Sequence, residues 1–258
     1  MRRTLAGLVL TGALLVAATA SGVAAAPVQA TRGVPPAGSI QFDVHYGSQG
    51  FKIGEARHDW DIAGGRYEMR LKLEAKGLAG LFGLHYEQRS VGTVDARGMR
   101  PERFSVDQRG RKLESAEFDW QAGRVSIRRD GTERRSGSIQ PGDQDLLSLW
   151  HQARRVAEAG KPVKLTVVTN KSTKQATLEP KGAETLKLAI GEVSTVRVHA
   201  WAEQGELDID IWLSQQHGLL PVRIRIQDED GGVLDQRASH IELGPAGAAQ
   251  AEQNSTQN

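Results

Sequence analysis

The 258-residue sequence contains no cysteine. That absence excludes disulfides, thiol nucleophiles, thiolate metal sites and a lipid-modified N-terminal cysteine. Familiar catalytic signatures are missing too. There is no Gly-x-Ser-x-Gly elbow, no glycine-rich phosphate loop and no His-Glu-x-x-His pair. The seven histidines, at 45, 58, 85, 151, 199, 217 and 240, stand singly, with no second histidine at metal-ligand spacing. No cofactor or metal is expected, no catalytic residue is assigned, and the chain reads as a non-enzyme. An excess of charge is also lacking, with 33 basic residues against 31 acidic.

One long apolar run stands at the start. Arg2 and Arg3 precede a run from Leu5 to about Ala20, and small residues follow, which is the order of a secretory signal peptide. Val28-Gln29-Ala30 fits the small-x-small cleavage rule and gives Thr31 as the expected mature start. Taking the leader's two arginines from the 33 basic residues leaves 31 against 31 acidic. The basic character therefore belongs to the leader, and no nucleic-acid partner is expected. Local basic patches remain at Arg128-Arg129 and Arg134-Arg135. The expected organisation is a signal peptide (1–30), a flexible segment (31–39), one β-rich domain (40–243) and a disordered tail (244–258) without large apolar residues. The expected location is the periplasm, with no transmembrane segment in the mature chain.

Period-two alternation dominates the domain. Ile40, Phe42, Val44 and Tyr46 alternate with polar residues, as do Tyr67, Met69, Leu71 and Leu73. The parity of the second strand shifts after Gly54, so a bulge is expected there. The most regular passage is ELDIDIWL-SQQHGL-LPVRIRI. It predicts a hairpin with Leu213 opposite Leu220, Asp210 opposite Arg223 and Asp208 opposite Arg225, a positive φ at Gly218 and a solvated His217. Carboxylates that face arginines are poor general acids, so Asp208 and Asp210 read as register markers rather than a catalytic dyad. Residues 143–157 carry Leu146, Leu149 or Trp150, Ala153 and Ala157 at helical spacing. Asp143 is the expected N-cap and Gly160 the stop, with acids at the start and arginines near the finish. One helix among about a dozen antiparallel strands predicts a mainly β fold, a curved antiparallel sheet or open β-barrel with one covering α-helix.

Gly77-Leu78-Ala79-Gly80-Leu81-Phe82-Gly83 is unusual for a connection, because it sets large apolar residues on a glycine frame. Two readings stay open: a plug folded into one end of the barrel, or a lip that meets an apolar ligand or a lipid surface. The candidate ligand-binding residues are Leu78, Leu81 and Phe82 in this loop, Leu146 and Trp150 on the helix, and Trp212 on the charged face of the hairpin.

Several short motifs, taken in order, resemble a family of exported bacterial proteins grouped as a domain of unknown function, number 3108. They are GLAGLF followed by Ser90-Val91-Gly92-Thr93-Val94, then Gly98-Met99-Arg100-Pro101-Glu102-Arg103-Phe104, Gln144-Asp145-Leu146-Leu147-Ser148, Gly191-Glu192-Val193-Ser194-Thr195-Val196, and Ile211-Trp212-Leu213-Ser214 with Leu220-Pro221-Val222. Together they cover most of residues 40–240. The pattern departs at Gln215-Gln216, where an acidic residue is expected. The resemblance implies an envelope β-protein and carries no activity with it. The leading expectation is a periplasmic protein that holds an apolar or amphipathic ligand, such as a lipid, or supports the envelope. The alternatives are a structural adaptor for another envelope protein and, third, a glycan-acting hydrolase.

Overall fold

The computed structural model describes residues 35–47, 49–75, 85–202, 205, 207–227 and 231–245. The first half is a meander of eight strands: β1 (Ala37–Tyr46), β2 (Phe51–Ala63), β3 (Arg66–Ala75), β4 (His85–Asp95), β5 (Gly98–Gln108), β6 (Glu114–Asp119), β7 (Arg124–Arg129) and β8 (Thr132–Ser138). A crossing segment follows, made of the two-residue β9 (Gln144–Asp145) and the helix α1 (Ser148–Ala159). A second meander then runs through β10 (Val163–Val168), β11 (Thr173–Leu188), β12 (Gly191–Ala202), β13 (Asp208–Ser214), β14 (Leu220–Gln227) and β15 (Val233–Gly244). Pairing of β1 with β15 joins the two meanders into one 15-stranded sheet, with β8 and β9 as its edges. The sheet curves without closing. Pairs are antiparallel except β9 with β10.

Alternation decides which face is inside. Ile40, Phe42 and Val44 of β1, Ala56, His58 and Trp60 of β2, and Tyr67, Met69, Leu71 and Leu73 of β3 are all buried. The expected change of parity near Gly54 is a bulge: Val44 pairs with Gly54 and His45 with Lys52, so Ile53 is left over.

The helix does more than cover the sheet. Leu149, Trp150, Ala153 and Val156 are buried, and so are Ser148, His151 and Gln152. It packs against β5 and β9 on one side and against β11 to β14 on the other. A helix that buries polar residues along with its apolar stripe lies inside the curve of the sheet and fills it. It ends as expected at Gly160, whose φ of 62° is left-handed and whose N–H bonds the Val156 carbonyl at 3.1 Å.

Its start differs from the expectation. Residues 144–145 are extended and pair with β10, and the helix begins at Ser148 with no side-chain cap. The Asp143 carboxylate instead accepts the N–H groups of Gln140 and Thr166, each at 2.7 Å. The first helical turn carries no acid and the last no base, so the charged ends foreseen from sequence do not form. The acids precede the helix and the arginines sit in its middle.

The hairpin forms, in a different register. Asp210 pairs with Arg225 and Trp212 with Arg223, while Leu213 pairs with Pro221. At the turn the pairing is one residue off the expectation, with Ser214 opposite Leu220, and the extra residue Val222 on β14 adds a second step, so beyond the bulge the pairing has slid by two and its parity is restored. Gly218 has the expected positive φ, 65°, and Leu219 follows at 60°. His217 is half-buried rather than solvated, its Nδ1 2.8 Å from Ser214 Oγ. Arg223 turns to β15, donating to both oxygens of Asp235 at 2.9 and 2.8 Å. A double-mutant cycle of Arg223→Ala and Asp235→Ala should therefore give a coupling of about 1–3 kcal/mol in urea unfolding. The cycle with Asp210→Ala should give clearly less, and the reverse order would reinstate the register foreseen from sequence.

Candidate functional site

Three groups of side chains stand out among the described residues, two polar and one apolar. The first is sealed inside. The inward parity of β2 places His58 and Trp60 under the helix, whose His151 and Trp150 meet them. His58 Nε2 and His151 Nε2 are 2.8 Å apart, so one ring donates and the other accepts. Trp60 stacks on His58 at 5.8 Å between ring centres, and Trp150 meets it edge-on at 5.5 Å. Burial lowers His58 to about 4, against a smaller opposing effect of the Arg70 backbone. Burial, with His58 beside it, holds His151 well below the usual histidine range.

Beside this pair, Tyr67 of β3, Ser90 of β4 and Asp145 of β9 form a chain of hydrogen bonds. Tyr67 Oη and Ser90 Oγ are 3.0 Å apart, and Ser90 Oγ donates to Asp145 at 2.5 Å. Asp145 also accepts the N–H groups of Leu147 and Ser148 at 2.9 and 2.7 Å. Burial raises its pKa to about 6 despite these donors. Serine, aspartate and histidine are thus all present, but the histidines bond each other and the serine bonds the aspartate. Ser90, Asp145 and Ser148 have no exposed surface. Their chemistry acts on the fold, fixing the start of the helix against β3 and β4.

The second group lies on the outer face of β11 to β15. Trp212 is 4% exposed because arginines cover it. The Arg223 guanidinium sits 4.4 Å from the ring centre and that of Arg197 5.9 Å, while the indole N–H donates to Glu184 at 2.7 Å. Asp210 accepts from His199 Nδ1 at 3.1 Å and has Arg197 at 3.6 Å and Arg225 at 3.9 Å. This is a cross-strand network with partners on every side.

The third group is the rim where β1 ends and β2 begins. Five large apolar side chains are exposed among the described residues: Tyr46, Phe51, Leu113, Val163 and Leu243. Three of them share this rim. Tyr46 pairs with Phe51 across β1 and β2, and Leu113 lies just before β6. In strand order they flank the ends of β3 and β4, which residues 76–84 connect.

The residues singled out from sequence are therefore spread over the molecule. Leu78, Leu81 and Phe82 lie outside the described residues. Trp150 is in the core and Leu146 is half-buried against it. Trp212 is on the opposite face of the sheet, so these three do not share a surface. The rim residues Tyr46, Phe51 and Leu113 went unmarked. Their signal is weak: an apolar side chain at a strand end, beyond the last inward position. Among the described residues no three His, Asp or Glu side chains gather in a metal-holding group, and no helix is long and apolar enough to cross a membrane.

An open, curved β-barrel-like sheet around an internal helix defines the class. The chain matches the family described as protein of unknown function (DUF3108) over residues 41–237, and it belongs to that family. No curated protein matches it. In fold it is similar to a β-barrel-like protein of another domain of unknown function, DUF1849, from Brucella abortus. The TM-score is 0.54 at 12% identity, over 82% of this chain and 99% of that one.

The buried histidines set a sign for acid stability. Their folded pKa values lie below the unfolded 6.5, so the stability tied to their neutral forms is complete above pH 6.5 and is lost as pH falls toward 4. Asp145 acts the other way, its contribution fading as pH rises from about 4 through 6. Two histidines depressed by burial outweigh one aspartate raised by it. The urea midpoint should fall between pH 7.5 and 5, and His58→Phe with His151→Leu should flatten that fall by about half or more. Equal pH slopes in the two proteins would contradict this assignment.

Proposed function

We propose that this chain is an exported, periplasmic binding protein of the cell envelope, without catalysis, that takes an apolar or amphipathic ligand at the rim of the sheet. The observation that carries this reading is that Tyr46, Phe51 and Leu113, three of the five large apolar side chains exposed among the described residues, lie at the same end of the sheet. Exposed apolar side chains scattered singly need no explanation, but Tyr46 and Phe51 face each other across β1 and β2 as an apolar pair, with Leu113 further along the same rim. Leu78, Leu81 and Phe82 join this reading on sequence grounds alone, as the connection between β3 and β4.

The interior supports a rim contact rather than an enclosed one. Trp60, Trp150, Phe42, Phe104 and Met69 fill it with almost no exposed surface. The glycan-hydrolase alternative gains little, since Asp210 faces His199, Arg197 and Arg225. The adaptor alternative has the free edge of β8 in its favour, but Glu133, Arg134 and Arg135 lie on that strand, and charged edges discourage strand addition.

The test is native mass spectrometry of protein released gently from the periplasm. The expected result is a chain beginning at Thr31 with a bound amphipathic adduct, and loss of the adduct from Phe51→Ser with Leu113→Ser. Both positions are exposed, so the melting temperature should stay within a few degrees of wild type. An uncut leader in the cytosolic fraction would remove export, and a bare chain would remove the ligand.

A further inference from the structure

At the same end, the β5–β6 connection and the β7–β8 hairpin line an open depression in the surface, of about 440 Å³. Its lining is Gly110, Arg111 and Lys112 from the connection between β5 and β6, and Arg129 and Arg134 from the β7–β8 hairpin. Four of these five residues are cationic and none is acidic. The sequence alone marks Arg128-Arg129 and Arg134-Arg135 as basic doublets, and the hairpin brings one arginine of each to the depression.

The backbone aims Arg134 there. Ile127 pairs with Arg135 and Arg128 with Glu133, so Arg134 is the extra residue of a β-bulge. Bulges commonly redirect a side chain in this way.

The nearby carboxylates are already engaged. Asp130 takes Lys112 at 3.0 Å, and Glu114 lies 3.9 Å from Arg129. Glu117 takes Arg128 at 2.9 Å, and Glu133 takes Arg124. Neither Arg111 nor Arg134 has a carboxylate partner among the described residues. Two unmatched guanidiniums facing a depression beside two more cations repel one another, and a bound oxyanion relieves that repulsion while using their forked donors.

We propose that this open basic depression is a surface anion site for a phosphate-type oxyanion. Phosphate oxygens match the fork of arginine in two-point contacts and carry the charge that several cations need. The proposal deepens the amphipathic-ligand reading, on which it rests for one of its two sources, the phosphate headgroup of a lipid. The other source, free phosphate, does not need that reading.

The experiment uses the mature chain, wild type and Arg111→Ala with Arg134→Ala. A second double variant, Arg66→Ala with Arg103→Ala, removes the same charge elsewhere on the exposed surface. The probes are inorganic pyrophosphate by calorimetry, and flotation with phosphatidylcholine vesicles with and without phosphatidic acid. The first variant should lose about tenfold or more in affinity for any anionic probe that wild type binds, and the control variant should not. Pyrophosphate binding without vesicle binding keeps the site and assigns it to free phosphate, against the lipid source. Vesicle binding that needs both phosphatidic acid and the two arginines assigns it to a headgroup. If wild type binds neither probe, or the first variant binds as wild type does, the proposal is overturned.

Discussion

The rest of the structure depends on how the inside of a sheet that does not close is filled. Fifteen curving strands present an apolar face that flanking loops cannot cover, and the chain crosses that space once, through β9 and α1. The crossing is held by two buried carboxylates, and Asp143 ties its beginning to the N–H groups of Gln140 and Thr166. Asp145 gathers the hydroxyl of Ser90 and the N–H groups of Leu147 and Ser148, tying the helix start to the wall of the first meander. Gln144 and Gln152 add bonds to the Met99 carbonyl and N–H, at 2.9 and 3.2 Å. A buried carboxylate is costly unless its oxygens are matched by donors. Here the donors are the otherwise unpaired amides before the helix, so both needs are met by the same contacts.

This filling moves the place where a ligand can be met. Trp150, a good ligand contact on periodicity alone, is a buried anchor of the helix, packed against His58 of the histidine pair. Trp212 is held between two arginines on the far face. What remains outside is the end of the sheet where Tyr46, Phe51 and Leu113 are exposed and where Arg111 and Arg134 have no carboxylate partner among the described residues. Apolar contact and unmatched positive charge on one rim suit an amphipathic anion better than a neutral, fully enclosed ligand.

Much of the fold was legible in the residues. Strict alternation in β1 and β3 named their inward faces, the slip of parity after Gly54 located a bulge, and Gly160 marked the end of the helix. The misses have local causes. β8 reads TERRSGS, with no apolar position to alternate, because it is an exposed edge. The hairpin register shifted by one residue at the turn and by one more at the Val222 bulge, and two steps together leave parity, the only thing alternation reports, unchanged. The start of the helix was set by Asp145 reaching forward to two amides, whereas periodicity began counting at residue 143. The basic depression could not be seen in sequence because Arg111 in the β5–β6 connection and Arg134 on β8 are brought together only by the meander.

The most direct measurement is amide hydrogen exchange of the mature chain with and without vesicles containing phosphatidic acid. The account predicts added protection in residues 46–51, 109–113 and 130–134, with exchange in residues 148–159 unchanged, because the helix stays in place while the rim is occupied. A change in exchange across 148–159 would mean that the helix moves aside to admit the ligand, and would contradict the filled interior on which the account rests.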